Sequence, residues 1–492
     1  MDEAKRTRKN LWMFPLGTVG RDMIYTLFNN FILTYILFTR SLTAAQLSAI
    51  TAIMVAARVF DALNDPLMGN IIERTRTRWG KFKPWLVIGM ALTSVVVYAA
   101  FHSTLEGWAF VGFFGVIYLM YSVAYTMHDI SYWGMVAALG SDEDTRNRFT
   151  SRATLFAGVG TTLASMLIPM LTTGEHTLGG NANTAYGVVA LIICLIAPLF
   201  LCFTVFGVRE HRADQAEKAP PVSLKKILDT ITGNDQLMWI ALIFLIQQVG
   251  NGLTAGGIGS TYVYFAFGYS GGLYSLFSLV GVAATAFLMV FYPAISRRMK
   301  RKSLMGVMMG ASTAGYGLML LAGLCLGGGM VKFWLVTVGF MAANFGQYCF
   351  YLVMMISIIN TVEYNEYKRG CRDEAIIASL RPFLTKLASA LIAALTAVGY
   401  LAFGVTGLTN QISAMERQAA QGILAEAEKL TAIDGVLGGV ATWQTSGLLL
   451  CMTMVPFALM LTSYLLYLRK YKLDEEEYKR ICVELEARRA EA

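Results

Sequence analysis

The chain has 492 residues, of which 56% are hydrophobic and 15% are charged. Soluble domains average about 45–50% apolar and about 25% charged residues, so a water-soluble body could not bury this much apolar surface. The composition therefore predicts a multi-pass membrane protein and excludes a disordered chain, a collagen and a disulfide-stapled secreted module. Seven scattered cysteines without CxxC spacing and only four histidines also argue against a zinc or di-iron centre.

Twelve stretches are long and apolar enough to cross a bilayer, which requires roughly 20 apolar residues per helix. Each is expected to be helical, because lipid offers no hydrogen-bond partners to free backbone groups. The predicted spans are 12–38, 44–72, 84–103, 107–138, 150–173, 185–208, 237–266, 272–295, 303–327, 331–362, 374–407 and 440–468. The sequence thus predicts an all-α membrane protein.

Basic residues concentrate on one side of this predicted topology. The N-terminal segment, the even-numbered connections and the C-terminal tail are rich in Lys and Arg, whereas the opposite side holds only Arg40, Lys332, Arg417 and Lys429. By the positive-inside rule, both termini are expected in the cytoplasm, with the protein in the cell (inner) membrane. The net charge of +8 is thereby explained without a nucleic-acid partner. A cleavable signal peptide is not expected, because the basic start leads directly into a long span.

A polar linker near mid-chain divides the sequence into halves. We predict an N-terminal six-helix bundle (1–207), a cytoplasmic central loop (208–236), a C-terminal six-helix bundle (237–468) and a cytoplasmic tail (469–492). The basic turn after the second span, IIERTRTRWGKFKPWLVIG, is echoed after the eighth by AISRRMKRKSLMGVMMG. Such an echo is expected of repeated halves around a central site. Residues 408–439 predict an amphipathic helix on the outer side, and the tail predicts a soluble helix.

Two carboxylates in the second span, Asp61 and Asp65, are candidates for a cation site. Four residues apart on a helix, they share one face about 6 Å from each other. Two carboxylates in a low-dielectric region repel, so they either share a proton or hold a cation between them. Oxygen ligands favour a hard ion such as Na⁺ over a transition metal. Asn64 and Thr126 are expected to add neutral oxygens.

Two basic residues within the spans offer charge balance to this pair. Lys386 in span eleven is a positive charge that can compete with the ion or balance the empty site. Arg58 precedes Asp61 by three residues. The alternative interpretation is a set of buried ion pairs, such as Arg58 with Asp61, that fixes helix packing without binding any ion.

A second group of polar residues in spans one, four and five is typical of a sugar site. Carboxylates and Arg hydrogen-bond to vicinal hydroxyls, and an indole face stacks on a pyranose. The group comprises Asp22, Asp129, Trp133 and Arg152. Trp133 could equally be an ordinary core aromatic, and Asp22 could be paired locally with Arg21. Tyr125 is a weaker candidate, and His128 is expected to be a satisfied packing histidine rather than a proton relay.

Three motifs in this order resemble the glycoside–pentoside–hexuronide:cation symporter family of the major facilitator superfamily. They are RVFDALNDPLMGNIIERTRTRWGKFKPWLVIG, YTMHDISYW and TVEYNEYKRGCRDEAIIASLRPFLTK. The resemblance implies twelve helices in two pseudo-repeated six-helix bundles. It also implies cation-site roles for Asp61 and Asp65, with Thr126 as an accessory, and places Arg58 and Lys386 in a central charge network. The positions implied for sugar recognition are Arg21, Asp22, Asp129, Trp133 and Arg152.

Two positions depart from the family pattern. Arg21 stands where the family's melibiose permease has Lys, and its planar fork suggests a different or acidic sugar. Asn360 stands where the family usually has Asp, which removes a charge near the inner end of span ten.

The expected function is secondary active symport of a sugar or glycoside with Na⁺ or H⁺, by alternating access and as a monomer. No enzyme activity and no cofactor beyond the coupling ion are expected. The alternatives are a Na⁺-coupled carrier of a lysolipid, a proton-coupled hexuronide transporter, a membrane enzyme and a non-transporting sensor. The absence of a nucleophile–base pair or His-rich motif in the spans disfavours an enzyme, and the short tail disfavours a sensor.

Overall fold

The chain is helical almost throughout in a computed structural model, which describes residues 3–139, 143–208, 224–371 and 373–491. The only β pairing among these residues is an isolated bridge between Thr77 and Gly80, so the all-α prediction is confirmed. The helices are α1 (Glu3–Thr39), α2 (Ala44–Arg74), α3 (Lys83–His102), α4 (Gly107–Leu139), α5 (Glu143–Thr172), α6 (Ala182–Gly207), α7 (Leu224–Gly233), α8 (Asp235–Ala255), α9 (Gly257–Phe267), α10 (Gly271–Arg298), α11 (Arg301–Cys325), α12 (Met330–Arg369), α13 (Glu374–Ala402), α14 (Val405–Ala420), α15 (Glu426–Gly438), α16 (Thr442–Lys470) and α17 (Glu475–Glu491).

Ten stretches of the described residues are long and apolar enough to cross a membrane. The other two predicted spans correspond to α1, which carries charges along its length, and to α10, whose apolar part Gly271–Thr285 is shorter among the residues described. The seventh predicted span is divided at Gly256 into α8 and α9.

Local sequence explains where several helices begin and end. Thr43 caps α2 through a reciprocal capping box with Gln46, and Asn181 caps α6 by accepting a hydrogen bond from the Thr184 amide. Such side chains replace the partners that the first backbone amides of a helix lack. Gly404 adopts φ 62°, a left-handed conformation that favours glycine. The predicted span 374–407 therefore ends earlier, at Ala402, and a separate helix follows.

The helices form two compact units. Unit 1 comprises the described residues within Met1–Pro221, Gly268–Leu276 and Gly404–Val440, and unit 2 those within Val222–Phe267, Phe277–Phe403 and Ala441–Ala492. Two segments that the sequence assigned to the C-terminal bundle, 268–276 and 404–440, thus pack with unit 1. Of the predicted central loop, residues 209–223 lie outside the described residues, and α7 forms its amphipathic part.

The C-terminal tail is part of the core of unit 2. Leu473, Ile481 and Leu485 are buried in the same apolar cluster as residues of α8, α11 and α12. The tail is therefore helical, as the sequence predicted, and it packs on the helices of unit 2.

Candidate functional site

Arg21 is the centre of a charged cluster inside unit 1. Its Nη2 lies 2.8 Å from Asp22 Oδ2, and its Nη1 lies 3.2 Å from Asp129 Oδ1 on α4. Arg21 is only 4% exposed, whereas the side chain of Asp129 is 31% exposed. Thr18, one turn earlier on α1, donates to Asp22 Oδ2 at 3.1 Å. The cluster therefore holds one cation and two carboxylates, and one of these carboxylates remains accessible.

Aromatic rings of α4 cover the guanidinium group of Arg21. Its central carbon lies 4.8 Å from the ring centroid of Tyr132 and 5.2 Å from that of Trp133. Cation–π attraction favours this placement, and the two salt bridges fix the orientation of the planar group. The structure thus brings together four residues predicted for sugar recognition: Arg21, Asp22, Asp129 and Trp133.

Arg152 occupies a different position from these four. Its Nη1 donates to the Leu11 carbonyl at 3.3 Å, and its guanidinium carbon lies 5.0 Å from the centroid of Trp12. Among the described residues, no ion pair joins Arg152 to Asp22 or Asp129. The structure therefore does not bring Arg152 into the cluster around Arg21.

Tyr125 and His128 line a narrow gap beside Arg21, together with Met90 and Thr93 of α3. Tyr125 stacks on Tyr121, with ring centroids 5.5 Å apart. His128 is 1% exposed, and among the described residues neither of its ring nitrogens has a hydrogen-bond partner. The expected packing role agrees with this burial, whereas the hydrogen bonds expected of a satisfied histidine are not found among these residues.

Close packing of α3 on α4 explains the surroundings of His128. A Cβ atom on Gly89 would lie 2.7 Å from the backbone nitrogen of His128. At so short a separation, the backbones of the two helices are in close contact beside the imidazole. Its ring lies parallel to that of Tyr132, with centroids 6.3 Å apart.

Asp65 has the neutral oxygen neighbour that the sequence predicted. Thr126 Oγ1 donates to Asp65 Oδ1 at 3.0 Å, and Asp65 is partly buried. Asn64, next to it on α2, has a buried side-chain nitrogen without a partner among the described residues. The structure therefore joins the carboxylate of Asp65 to the hydroxyl of Thr126, with the amide of Asn64 on the adjacent position of α2.

Asp61 has a different environment from Asp65. Arg58 Nη1 lies 3.1 Å from Asp61 Oδ2, with both side chains buried, and the Ser122 hydroxyl donates to Asp61 Oδ1. Arg58 also donates to Asn29 Oδ1 at 2.5 Å and to the Tyr118 hydroxyl at 3.0 Å. In this structure Asp61 forms the buried ion pair that was the alternative interpretation of Arg58.

Sequence reasoning missed the neutral members of this network, Tyr118 and Ser122. With Thr126 they form a column on α4 at a spacing of four residues, which places them on one helix face. The three residues hydrogen-bond, in order, to Arg58, Asp61 and Asp65 on α2. The spacing of hydroxyl groups in an apolar span was the signal that could have identified them.

Two predicted residues lie in unit 2. Lys386 is partly buried on α13, so it belongs to a different unit from the remainder of the predicted site. Asn360 is buried on α12. With its amide oriented to satisfy its neighbours, its oxygen accepts from Arg301 Nη1 at 2.7 Å and from Nη2 at 3.2 Å. Asn360 thus contacts a basic residue as a neutral acceptor.

Comparisons with known proteins agree with this architecture. The sequence model of a family described as MFS/sugar transport protein matches residues 13–475. A lactose permease of Lactobacillus helveticus is 26% identical over 97% of this chain and 72% of its own length. A raffinose carrier protein of Pediococcus pentosaceus is 27% identical over 83% of this chain and 64% of its own length. The chain therefore spans about two thirds of the length of these curated relatives.

Solved transporters share the fold. The crystal structure of a bacterial homolog of the human lysosomal transporter Spinster, inward-facing and occupied, aligns with a TM-score of 0.61 at 13% identity. The alignment covers 94% of this chain and 96% of that one. The all-α arrangement is therefore that of major facilitator transporters.

Proposed function

Because the chain belongs to the MFS/sugar transport protein family, we propose that it is a secondary active transporter that carries a sugar or glycoside together with a cation. The family membership bears out both the predicted resemblance and the expectation of a transporter rather than an enzyme. The lactose and raffinose carriers named above support a sugar as the substrate. Alternating access between the two sides of a membrane is the proposed mechanism.

The observation that carries the proposal is the cluster of Arg21, Asp22 and Asp129 against the rings of Tyr132 and Trp133. Carboxylates accept hydrogen bonds from vicinal hydroxyls. The Arg group fixes the carboxylates in place, and an aromatic ring offers a face to the apolar side of a pyranose. A lysolipid carrier would be expected to present apolar side chains here.

The charge of the cluster favours a neutral glycoside over a hexuronide. Both carboxylates already pair with Arg21, so the three groups carry a net charge of −1. That charge would repel a substrate carboxylate. The guanidinium group of Arg21 already forms salt bridges with two protein carboxylates. The acidic sugar suggested by the presence of Arg at this position is therefore the less favoured substrate.

For the coupling cation, we propose Asp65 with Thr126 and Asn64 as the binding site. Asp61 contributes through its ion pair with Arg58, which keeps that carboxylate neutralised. The hard oxygen ligands suit Na⁺, and a proton on Asp65 would serve the same purpose. We further propose that the protein works as a monomer in the cell membrane, with both termini in the cytoplasm.

Helix α4 carries residues of both the proposed cation site and the proposed sugar site, and it can therefore couple the binding of the two ligands. Thr126 of the proposed cation site and Asp129 of the proposed sugar site lie three residues apart, within one helical turn. A cation that orders this turn also orders the sugar ligands, so each ligand raises the affinity for the other by the same factor.

Uptake into proteoliposomes tests the proposal. Labelled lactose, raffinose, a glucuronide and a lysophospholipid are offered under a Na⁺ gradient or a pH gradient. We expect gradient-stimulated uptake of a neutral sugar, and we expect Asp65→Asn to abolish the stimulation. Asp434→Asn, an exposed carboxylate on α15, is the matched control and should behave like the parent. Full stimulation in Asp65→Asn, or uptake of the lysolipid alone, would contradict the proposal.

A further inference from the structure

Residues 404–440 form a helical hairpin of α14 and α15. This hairpin and the two helices that flank it in the sequence belong to different units. The hairpin packs in unit 1, whereas α13 before it and α16 after it belong to unit 2. It docks on the end of unit 1 at which α1, α3 and α5 finish, called here the distal end. The segment 268–276 also packs in unit 1. Gly271 N donates to the carbonyl oxygen of Thr173, the residue directly after α5, at 3.1 Å.

Asn410 fastens the first helix of the hairpin to the connection between α1 and α2. Its side-chain oxygen accepts from the Leu42 amide at 2.9 Å, and its nitrogen donates to the Leu42 carbonyl at 2.9 Å. An amide that pairs with both backbone groups of one residue fixes both distance and orientation. Close by, the hydroxyl oxygens of Ser41 and Ser413 lie 3.3 Å apart.

Arg417 reaches a second connection of the distal end. Its Nη1 lies 2.5 Å from Glu106 Oε1, between α3 and α4, and its Nη2 donates to Ser41 Oγ at 2.7 Å. One side chain of the hairpin thus joins the α1–α2 and α3–α4 connections.

A buried ion pair attaches the hairpin to the third connection, between α5 and α6. Glu416 and Lys429 lie 3.2 Å apart, and both side chains are 0% exposed. Glu416 Oε2 also accepts from the Ala182 amide at 2.7 Å, and Lys429 Nζ donates to the Gly180 carbonyl at 2.8 Å. Two charges buried away from water need such partners. Gly180 belongs to the α5–α6 connection, and Ala182 is the first residue of α6. The docked position therefore gives each member of the pair a backbone partner in unit 1.

Glycines stand at both ends of the hairpin. Gly404 has φ 62°, Gly438 is the last residue of α15, and Gly439 follows it. These residues can absorb backbone rotation without a side-chain penalty. From these observations we infer that the hairpin is a strap. It fastens across all three distal connections of unit 1 in the state described, and it is released when the transporter changes state.

This inference rests on the proposed alternating access, because movement of unit 2 relative to unit 1 would pull on both ends of the strap. A reversible cross-link tests it. The Ser41→Cys/Ser413→Cys double variant joins the strap to the α1–α2 connection on oxidation, and a linked peptide detected by mass spectrometry reports the bond. We expect oxidation to lower sugar flux at least tenfold and reduction to restore it. The single variants, Ser41→Cys and Ser413→Cys, are the controls for the native thiols. Full flux through the cross-linked protein would overturn the strap.

A distance measurement tests the release of the strap without any substrate, so it is valid even if the protein does not transport a sugar. Spin labels are placed at Thr104→Cys and Thr431→Cys, both exposed, in a full-length background in which the seven native cysteines are replaced. Lys429→Met leaves Glu416 buried without its cation, so a second, longer distance is expected to become prominent. Adding Glu416→Gln should reduce that population, because it removes the unpaired charge.

Asn410→Ala is the milder variant and should give a smaller population of the longer distance. It remains informative if Lys429→Met does not fold. If the distance distribution is identical in the parent and in every folded variant, the strap does not undock and the inference is wrong, whatever the substrate.

Discussion

The interior of unit 1 contains ion pairs within its helices, whereas the described interior of unit 2 is built largely on amides and hydroxyls. In unit 1, Arg21 and Arg58 each pair with a carboxylate. In unit 2, Gln247 Nε2 donates to Gln347 Oε1 at 3.1 Å, and Gln347 donates to the Tyr316 hydroxyl at 3.1 Å. Neutral networks join helices without the desolvation cost of charges. Ion pairs therefore lie within α1 and α2 of unit 1, whereas neutral hydrogen bonds join helices of unit 2.

The largest expected effect comes from breaking the buried ion pair between Arg58 and Asp61 in unit 1. Arg58→Met leaves Asp61 charged and buried, which is expected to cost about 3–5 kcal/mol and to lower the unfolding temperature in detergent. Arg381→Met in unit 2 is the matched control, because Arg381 is exposed and donates to the Tyr351 hydroxyl. The double variant Arg58→Met/Asp61→Leu should recover most of the loss. If Arg58→Met and Arg381→Met had the same unfolding temperature, the buried ion pair of unit 1 would contribute no more to stability than an exposed arginine of unit 2.

The next effect concerns sugar binding. Asp129→Asn removes a charged hydrogen-bond acceptor that is partly accessible, and the expected loss of about 1.5–3 kcal/mol weakens sugar binding roughly 10- to 150-fold. Gln247→Leu removes a fully buried polar group of unit 2 and should leave the dissociation constant unchanged. Isothermal titration with the transported sugar measures both. A comparable weakening in Gln247→Leu would mean that unit 2 contributes as much to recognition as unit 1.

Much of the fold was accessible from the sequence, because length and apolarity alone determine which segments suit a bilayer. The predicted spans coincide closely with the long helices, except where conformation at one residue decided the outcome. Gly404 ends α13 early, and no hydropathy pattern encodes its left-handed backbone. The docking of 404–440 on unit 1 was also inaccessible, since Asn410 and Glu416 find their partners far away in the sequence.

The site was predictable where its residues share one helix and unpredictable where partners had to be chosen between helices. The spacing of Asp61 and Asp65 placed them on one face of α2. It could not decide that Arg58 and Ser122 would contact the two oxygens of Asp61 while Thr126 would donate to Asp65. Arg152 was predicted for the sugar site from its chemistry and by resemblance, and the sequence did not indicate that its guanidinium group packs on the ring of Trp12.

The smallest expected effect concerns the surface of unit 2, where charged side chains are exposed. We expect them to stabilise the end of a helix rather than to bind an ion. Asp474 precedes α17, and its Oδ1 accepts from the Glu477 amide at 3.1 Å, as an N-terminal cap does. Asp474→Ala should therefore destabilise α17 by about 1 kcal/mol. Asp474→Asn keeps the cap and loses only the exposed pair with Lys302, which contributes little. Hydrogen exchange of the α17 amides compares the two variants.

The same carboxylate gives this part of unit 2 a defined pH response. The Glu477 amide is the main cause that holds the pKa of Asp474 below its usual value, with Lys302 adding to the effect. A lowered pKa means that the stabilisation is present above the value of the unfolded chain and is lost as the pH falls through the folded value. Protection of the α17 amides, corrected for intrinsic exchange, should therefore decline below about pH 4 in the parent. It should change less in Asp474→Asn, whose cap does not titrate. A parallel decline in both proteins would assign the response to other carboxylates of the tail, and α17 would then be held by the charge of its whole acidic run rather than by this cap.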